Sequence, residues 1–195
     1  NLIRQVVNMF QIQSVTCEGL REHLVTDCAA PTFAYFVSSD RAGASVQSAE
    51  LTVNGWTIRN PDQCGTRYAG QPLKPFTTYT ATLTVTSDSG ETDTARLTFE
   101  TGRMDTPWQG KWITDGAYVF KEKKVSPVPM VFHKALLLRG EIAQAKLYAT
   151  AMGIYELNID GQKVGERYFA PGFTSYAHQL MYQTYDVTDM LHSGS

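Results

Sequence analysis

Asp186 and Asp189 are the carboxylates best placed for acid–base work. They lie where an alternating apolar–polar run gives way to a turn, and a close carboxyl pair can exchange protons with a bound substrate. Capping is the competing role, because Asp at a strand end accepts hydrogen bonds from nearby main-chain N–H groups. Capping is the reading adopted here. Glu91 and Asp93 follow Gly90 in a hairpin and read as solvated turn residues. His23, His133, His178 and His192 are scattered, with no H-E-x-x-H pattern and no i, i+4 pair, so no zinc site is expected. Asp160 adjoins Gly161 but lacks the further oxygen ligands of a calcium loop. The chain shows no Ser-His-Asp arrangement, P-loop or dinucleotide fingerprint, and no cofactor is expected.

Aromatic side chains remain. A sugar ring stacks its apolar face on an exposed aromatic with polar groups alongside. Trp56 follows the turn dipeptide Asn54-Gly55 and is expected to be exposed there. Tyr176 and His178 lie in an irregular stretch after Pro171-Gly172. These three are the candidate carbohydrate contacts, with ordinary packing or solvation as the alternative for each. Asn158 is a weaker candidate, read as solvent-exposed. Trp108 and Trp112 read as packing residues at a junction between domains.

These residues sit in a chain built for strands. Phe33, Tyr35 and Val37 alternate, as do Tyr79, Ala81, Leu83 and Val85, with Thr80, Thr82, Thr84 and Thr86 on the opposite face. Ala95, Leu97 and Phe99 alternate with Arg96, Thr98 and Glu100. Threonine on one face and apolar groups on the other suit a half-buried antiparallel sheet. Asp88-Ser89-Gly90 supplies a turn between two such strands. The block over residues 11–103 has the size of an immunoglobulin-like sandwich. Pro72, Pro75 and Tyr79 fit a corner whose Tyr hydroxyl bonds back to main chain, although a plain core Tyr reads the same way.

Residues 102–107 form a polar linker, and a second run of strands is predicted over 130–138, 143–150, 153–159 and 180–187. Asp160-Gly161 suits a tight hairpin turn, with Gln162 to Gly165 beginning the return strand. Lys121 to Pro129 reads as an exposed loop. Thr188 is predicted to cap one helical turn. Residues 1–10 form a separate leading segment whose Leu2, Ile3, Val6, Val7 and Phe10 fit helix or strand.

Composition narrows the rest. At 43% hydrophobic and 18% charged the chain is ordinary globular material. A net charge of −2 gives no electrostatic reason to expect nucleic acid or an anionic membrane as partner. The longest aliphatic run, Ala135 to Leu138, is far short of a membrane span. Asn1 in place of an initiator Met leads to the expectation that the chain is processed or excerpted. Cys17, Cys28 and Cys64 form an odd set without C-x-x-C spacing, so their redox state is open.

The second half resembles the N-terminal accessory domain of bacterial α-L-rhamnosidases. The resemblance rests on W-x-x-x-W-I from Trp108 to Ile113, and on A-x-L-x-x-x-A-x-G-x-Y-x-L-x-I-(N/D)-G from Ala145 to Gly161. P-G-x-T-x-Y follows from Pro171 to Tyr176, and Y-D-V-T from Tyr185 to Thr188. The first half is similar to that family's leading fibronectin-III-like domain, through Pro31-Thr32-Phe33, Tyr68-Ala69-Gly70, Leu73 to Tyr79 and Phe99 to Gly102. Members often carry a Trp after Pro31 and another after Tyr79. This chain has Tyr35 or Phe36 and Thr80-Ala81 there, which are packing substitutions.

The resemblance implies an all-β chain of two consecutive antiparallel β-sandwiches. Residues 11–103 would be immunoglobulin- or fibronectin-III-like. Residues 104–195 would be a truncated, galactose-binding-like jelly roll, since the family continues with a Gly-Asn pair and further strands where Gly194-Ser195 stands. It also implies that hydrolysis, with inversion, belongs to a downstream (α/α)-barrel, the expected partner, whose two acidic groups stand roughly 6.5–9.5 Å apart. The chain itself would be catalytically silent, within a periplasmic or secreted parent enzyme. An edge-strand dimer through the truncated domain and a rhamnoside ligand are further expectations. The alternatives are a free-standing carbohydrate-binding module and a cell-surface adhesion or assembly module.

Overall fold

The computed structural model describes residues 10–22, 25–115 and 129–192. Most of the leading segment, His23, nearly all of the Lys121–Pro129 loop and Gly194-Ser195 lie outside them. The chain is all-β and divides into two compact units, Asn1–Trp108 and Gln109–Ser195. No helix among the described residues is long and apolar enough to cross a membrane.

The first unit contains β1 (Phe10–Cys17), β2 (Val25–Thr26), β3 (Thr32–Ser39), β4 (Val46–Val53), β5 (Trp56–Arg59), β6 (Thr66–Arg67), β7 (Thr78–Ser87) and β8 (Thr92–Thr101). They form two sheets, ordered β1-β3-β6 and β2-β8-β7-β4-β5. The β7–β8 hairpin is paired without a break from Thr78↔Glu100 to Thr86↔Thr92. Side chains alternate strictly between faces, so this register sends Ala81, Leu83 and Val85 inward together with Leu97 and Phe99. The threonines face outward, where hydroxyl pairs Thr84–Thr94 and Thr86–Thr92 meet at 3.0 and 3.2 Å.

One core joins both sheets. Val15, Cys17, Phe33 and Tyr35 from the smaller sheet pack with Leu51, Val53, Leu83 and Phe99 from the larger one. The rings of Phe33 and Phe99 meet edge-on at 5.4 Å, and Tyr79 stacks on Phe99 at 5.7 Å. A register shift in β1 between Ile12 and Ser14 accompanies a cross-sheet bond, in which Ile12 donates its N–H to Asp93 Oδ2 at 2.7 Å. The corner is formed as expected: the Tyr79 hydroxyl accepts the N–H of Lys74 at 2.9 Å. Behind it, buried Thr101 accepts the Thr77 N–H through Oγ1 at 3.0 Å, with the Lys74 carbonyl 2.5 Å away as its own acceptor.

The second unit is more sparsely paired. Its strands are β9 (Lys146–Ala149), β10 (Asn158–Ile159), β11 (Gln162–Lys163) and β12 (Gln183–Asp186), joined as the pairs β9–β12 and β10–β11. Asp160 and Gly161, with φ of 48° and 79°, make the tight turn into β11. The other predicted strands shorten. Residues 130–138 form none, and Val131 and Leu137 are 94% and 66% exposed. Within 153–159, Tyr155 makes only an isolated bridge to Ala170 before β10 begins. An alternating pattern describes a strand's two faces but supplies no partner for its edges.

Thr188 does not cap the turn that follows β12. The turn Thr188–Met190 is 3-10, with Val187 at its N-cap position. Asp186 instead accepts both the N–H and the hydroxyl of Thr188, at 3.0 and 2.6 Å. The Thr188 hydroxyl also accepts the Ala145 N–H at 2.9 Å, so it ties β9 to β12 rather than closing a helix.

Val164, Ala170, Pro171 and Val187 are buried in this unit. Tyr155 and Tyr185 hold its centre, their hydroxyls 3.1 Å apart, and Gly165 leaves room for the second ring. A Cβ at Gly165 would lie 2.6 Å from Tyr185 Cε1. Burial and then the Tyr185 hydroxyl push the Tyr155 phenol well above its ordinary value of 10.0.

Two outcomes check this architecture. Phe99→Ala is expected to cost about 3–5 kcal/mol, the range for a large buried aromatic. Denaturant unfolding measures it, and a loss below about 1 kcal/mol would mean that the two sheets do not share a core at that ring. For Tyr155 the raised phenol stabilises the fold fully below its unfolded value, and that contribution fades as pH rises past about 10. The advantage of wild type over Tyr155→Phe in unfolding midpoint should therefore shrink in alkali, and a constant or growing advantage would contradict the packing described.

Candidate functional site

Trp56 is not the exposed platform expected from its place after a turn. Asn54 and Gly55, with φ of 46° and 78°, form a tight hairpin turn that sets Trp56 directly opposite Val53. Directly opposed residues share one sheet face. Val53 is fully buried, so Trp56 turns toward the core as well. Its ring meets Tyr68 edge-on at 5.2 Å. Gly70 completes this contact, because a Cβ there would lie 2.7 Å from the Trp56 Cβ and 2.5 Å from the Tyr68 hydroxyl. That hydroxyl donates to the Gln71 carbonyl at 2.8 Å.

Tyr176 and His178 share one turn in the second unit. The N–H groups of His178 and Gln179 both donate to the Ser175 carbonyl at 2.9 Å, and the Thr174 hydroxyl donates to the Gln179 carbonyl at 2.5 Å. His178 is exposed and Tyr176 half-buried. Trp56 belongs to the first unit, so the three candidates are divided between two bodies.

Sequence reasoning passed over the aromatics beside Tyr176. Phe173 is 90% exposed and meets Tyr176 edge-on at 5.9 Å. Tyr168 and Phe169 are also exposed, and the Lys163 ammonium lies 4.1 Å from the centre of the Tyr168 ring while pairing with Glu156 at 3.4 Å. Buried Ala170-Pro171 anchors this display. Tyr155 donates its N–H to the Ala170 carbonyl at 2.9 Å, and Gln183 Nε2 donates to the Pro171 carbonyl at 2.9 Å. The signal was present as Y-F-A-P-G-F, an aromatic-rich run around a turn dipeptide.

Five carboxylates have structural partners. Asp186 is held below the usual range by the Thr188 hydroxyl and then the Thr188 N–H. Glu91 accepts the Ser89 hydroxyl at 2.8 Å within the hairpin turn, and Asp93 bridges the sheets. Glu18 and Asp27 line a cavity of about 190 Å³ in the first unit. Each accepts a main-chain N–H, Glu18 from Thr32 at 2.6 Å and Asp27 from Met104 at 2.8 Å. The cavity is also below the roughly 300 Å³ at which ligand clefts usually begin. Among the described residues, no three His, Cys, Asp or Glu side chains gather as a metal site would require. Trp108 lies under the Arg103 guanidinium at 4.8 Å, and Trp112 is 61% exposed.

Comparison with known proteins agrees with both halves. Residues 12–105 match the Rha78A-like, N-terminal immunoglobulin domain, and residues 140–195 match the α-L-rhamnosidase N-terminal domain. An α-L-rhamnosidase of Streptomyces avermitilis is 43% identical over 63 residues, covering 32% of this chain and 6% of its own length. One from Formosa agariphila is 32% identical over 101 residues, covering 49% of this chain and 11% of its own. The fold resembles the solved α-L-rhamnosidase from Dictyoglumus thermophilum, with a TM-score of 0.78 at 21% identity over 94% of this chain and 24% of that one. The chain thus spans less than a quarter of the length of each of these relatives. With an immunoglobulin-like sandwich followed by the strands of the accessory domain, this chain belongs to the N-terminal region of the α-L-rhamnosidase family.

Proposed function

We propose that this chain is the non-catalytic N-terminal part of an enzyme that removes terminal α-L-rhamnosyl groups with inversion. In this reading, 11–103 is the fibronectin-III-like domain and 104–195 belongs to the accessory jelly roll. Together they brace a downstream (α/α)-barrel that carries the reacting carboxyls, in a periplasmic or secreted protein. The observation that carries the proposal is the engagement of the carboxylates. Asp186, Asp93, Glu18 and Asp27 each accept a main-chain N–H, and Glu91 a turn hydroxyl. A general acid or base must instead present its proton-carrying oxygen to substrate.

Among the described residues β9 and β12 pair only with each other, which favours pairing of an outer edge with another strand, from the barrel-bearing protein or from a second copy in an edge-strand dimer. A second reading, carbohydrate binding, draws on Phe173, Tyr176 and His178 in the second unit, with half-buried Trp56 the weakest contact.

Incubating the chain with an aryl α-L-rhamnoside should release no aryl alcohol above buffer, and steady turnover would overturn the non-catalytic assignment. Calorimetry with rhamnose separates the two readings. Millimolar or tighter binding, abolished by Tyr176→Ala or Phe173→Ala, would establish the sugar-binding role, and absence of heat would leave the bracing role.

A further inference from the structure

Asn54 and Gly55 form the whole tip of the β4–β5 hairpin, and both are exposed. β5 is the outermost strand of its sheet, so the tip is held from one side only. Among the described residues Asn54 Nδ2 finds only the Tyr68 hydroxyl, at 3.5 Å, which is too long to hold the side chain firmly. Among the same residues the Gly55 N–H meets no acceptor. A Cβ built on Gly55 would meet nothing within 4 Å, so water reaches the peptide between the two residues. Gly55 itself carries no side chain to crowd that peptide nitrogen.

We propose that Asn54 is a self-modification site, at which the Gly55 main-chain nitrogen displaces the side-chain amide and the folded chain ages to aspartate and isoaspartate. The inference does not rest on the rhamnosidase reading. The attacking nitrogen and Asn54 Cγ belong to adjacent residues. Their ring closes by rotation about single bonds of Asn54 itself, with no distant segment to bring up. The other described asparagines lack this combination. Asn60 precedes Pro61, whose nitrogen has no hydrogen to lose. Asn158 precedes β-branched Ile159, which crowds the nitrogen, and both lie in the paired strand β10.

The reaction needs only water. Hydroxide removes the Gly55 amide proton, and the nitrogen bonds to Asn54 Cγ as the bond from Cγ to Nδ2 breaks. Nδ2 leaves as ammonia after taking up a proton, and a cyclic imide joins the two residues. Water then opens the imide, giving its hydroxyl to one carbonyl carbon and its hydrogen to the nitrogen. Attack at Cγ yields aspartate. Attack at the main-chain carbonyl yields isoaspartate, whose main chain runs through Cβ and is longer by one methylene. Loop length fixes hairpin register, so the longer tip works against the opposition of Val53 to Trp56. It works equally against the packing of Trp56 on Tyr68.

The whole chain is held folded at mildly alkaline pH for several weeks and then digested with trypsin. Cleavage after Arg41 and Arg59 yields the peptide 42–59, in which Asn54 is the sole asparagine. That peptide should convert to its acid forms, faster as hydroxide rises, and part of it should be methylated by a protein-isoaspartate methyltransferase. Asn54→Gln, which would need a larger ring, should abolish the conversion. The isoaspartate-bearing chain should unfold at a lower denaturant midpoint than fresh chain, and an unchanged midpoint would contradict the effect on Trp56. A 42–59 peptide that keeps its amide in the folded chain while converting in denaturant would overturn the proposal. So would conversion that persists in Asn54→Gln, or that falls mainly on Asn158.

Discussion

The first unit depends on the parity of one hairpin. Nine opposed pairs along β7 and β8 run without a bulge, so a slip of one residue would turn Ala81, Leu83 and Val85 to water and bring threonines into the core. The turn at Ser87 to Glu91 pins that parity through main-chain bonds and the buried Ser87 hydroxyl. β4 extends the same register outward through Leu51↔Leu83 and Val53↔Ala81. Phe99 then meets Phe33 from the other sheet, and one inward ring makes two sheets into one core.

The second unit has a different organisation. Its two strand pairs are short, and its firmest points are local: the Tyr155–Tyr185 hydroxyl contact, the Asp186–Thr188–Ala145 tie and the anchored Ala170-Pro171. Each draws together residues from separate motifs of the family's second domain. The order of those motifs along the chain therefore reflects which segments must meet. Around the anchor, Phe169 has φ of 57°, an uncommon backbone state for a bulky residue. The large apolar rings beside it remain in solvent, consistent with an outward-facing surface rather than a closed core.

Polar chemistry in both units serves architecture. Asp93 satisfies an N–H where β1 shifts register, Thr101 gathers the corner around Tyr79, and Asp186 orders the turn after β12. Buried main-chain donors need such partners, and a short carboxylate or hydroxyl side chain is the nearest available.

Much of this was legible in the residues alone. Period-two alternation determined the β7–β8 faces, Asp160-Gly161 its turn, and the Tyr79 corner its hydroxyl bond, because each depends on neighbours within one or two turns of chain. The ordered motifs from Trp108 to Thr188 determined the family. Tertiary structure alone decided that Trp56 is a packing residue, since its facing follows from its opposition to Val53 across the hairpin. It decided likewise that residues 130–138 form no strand. Those outcomes rest on which distant segments come within hydrogen-bonding or van der Waals reach, and alternation along a single strand carries no record of its partner.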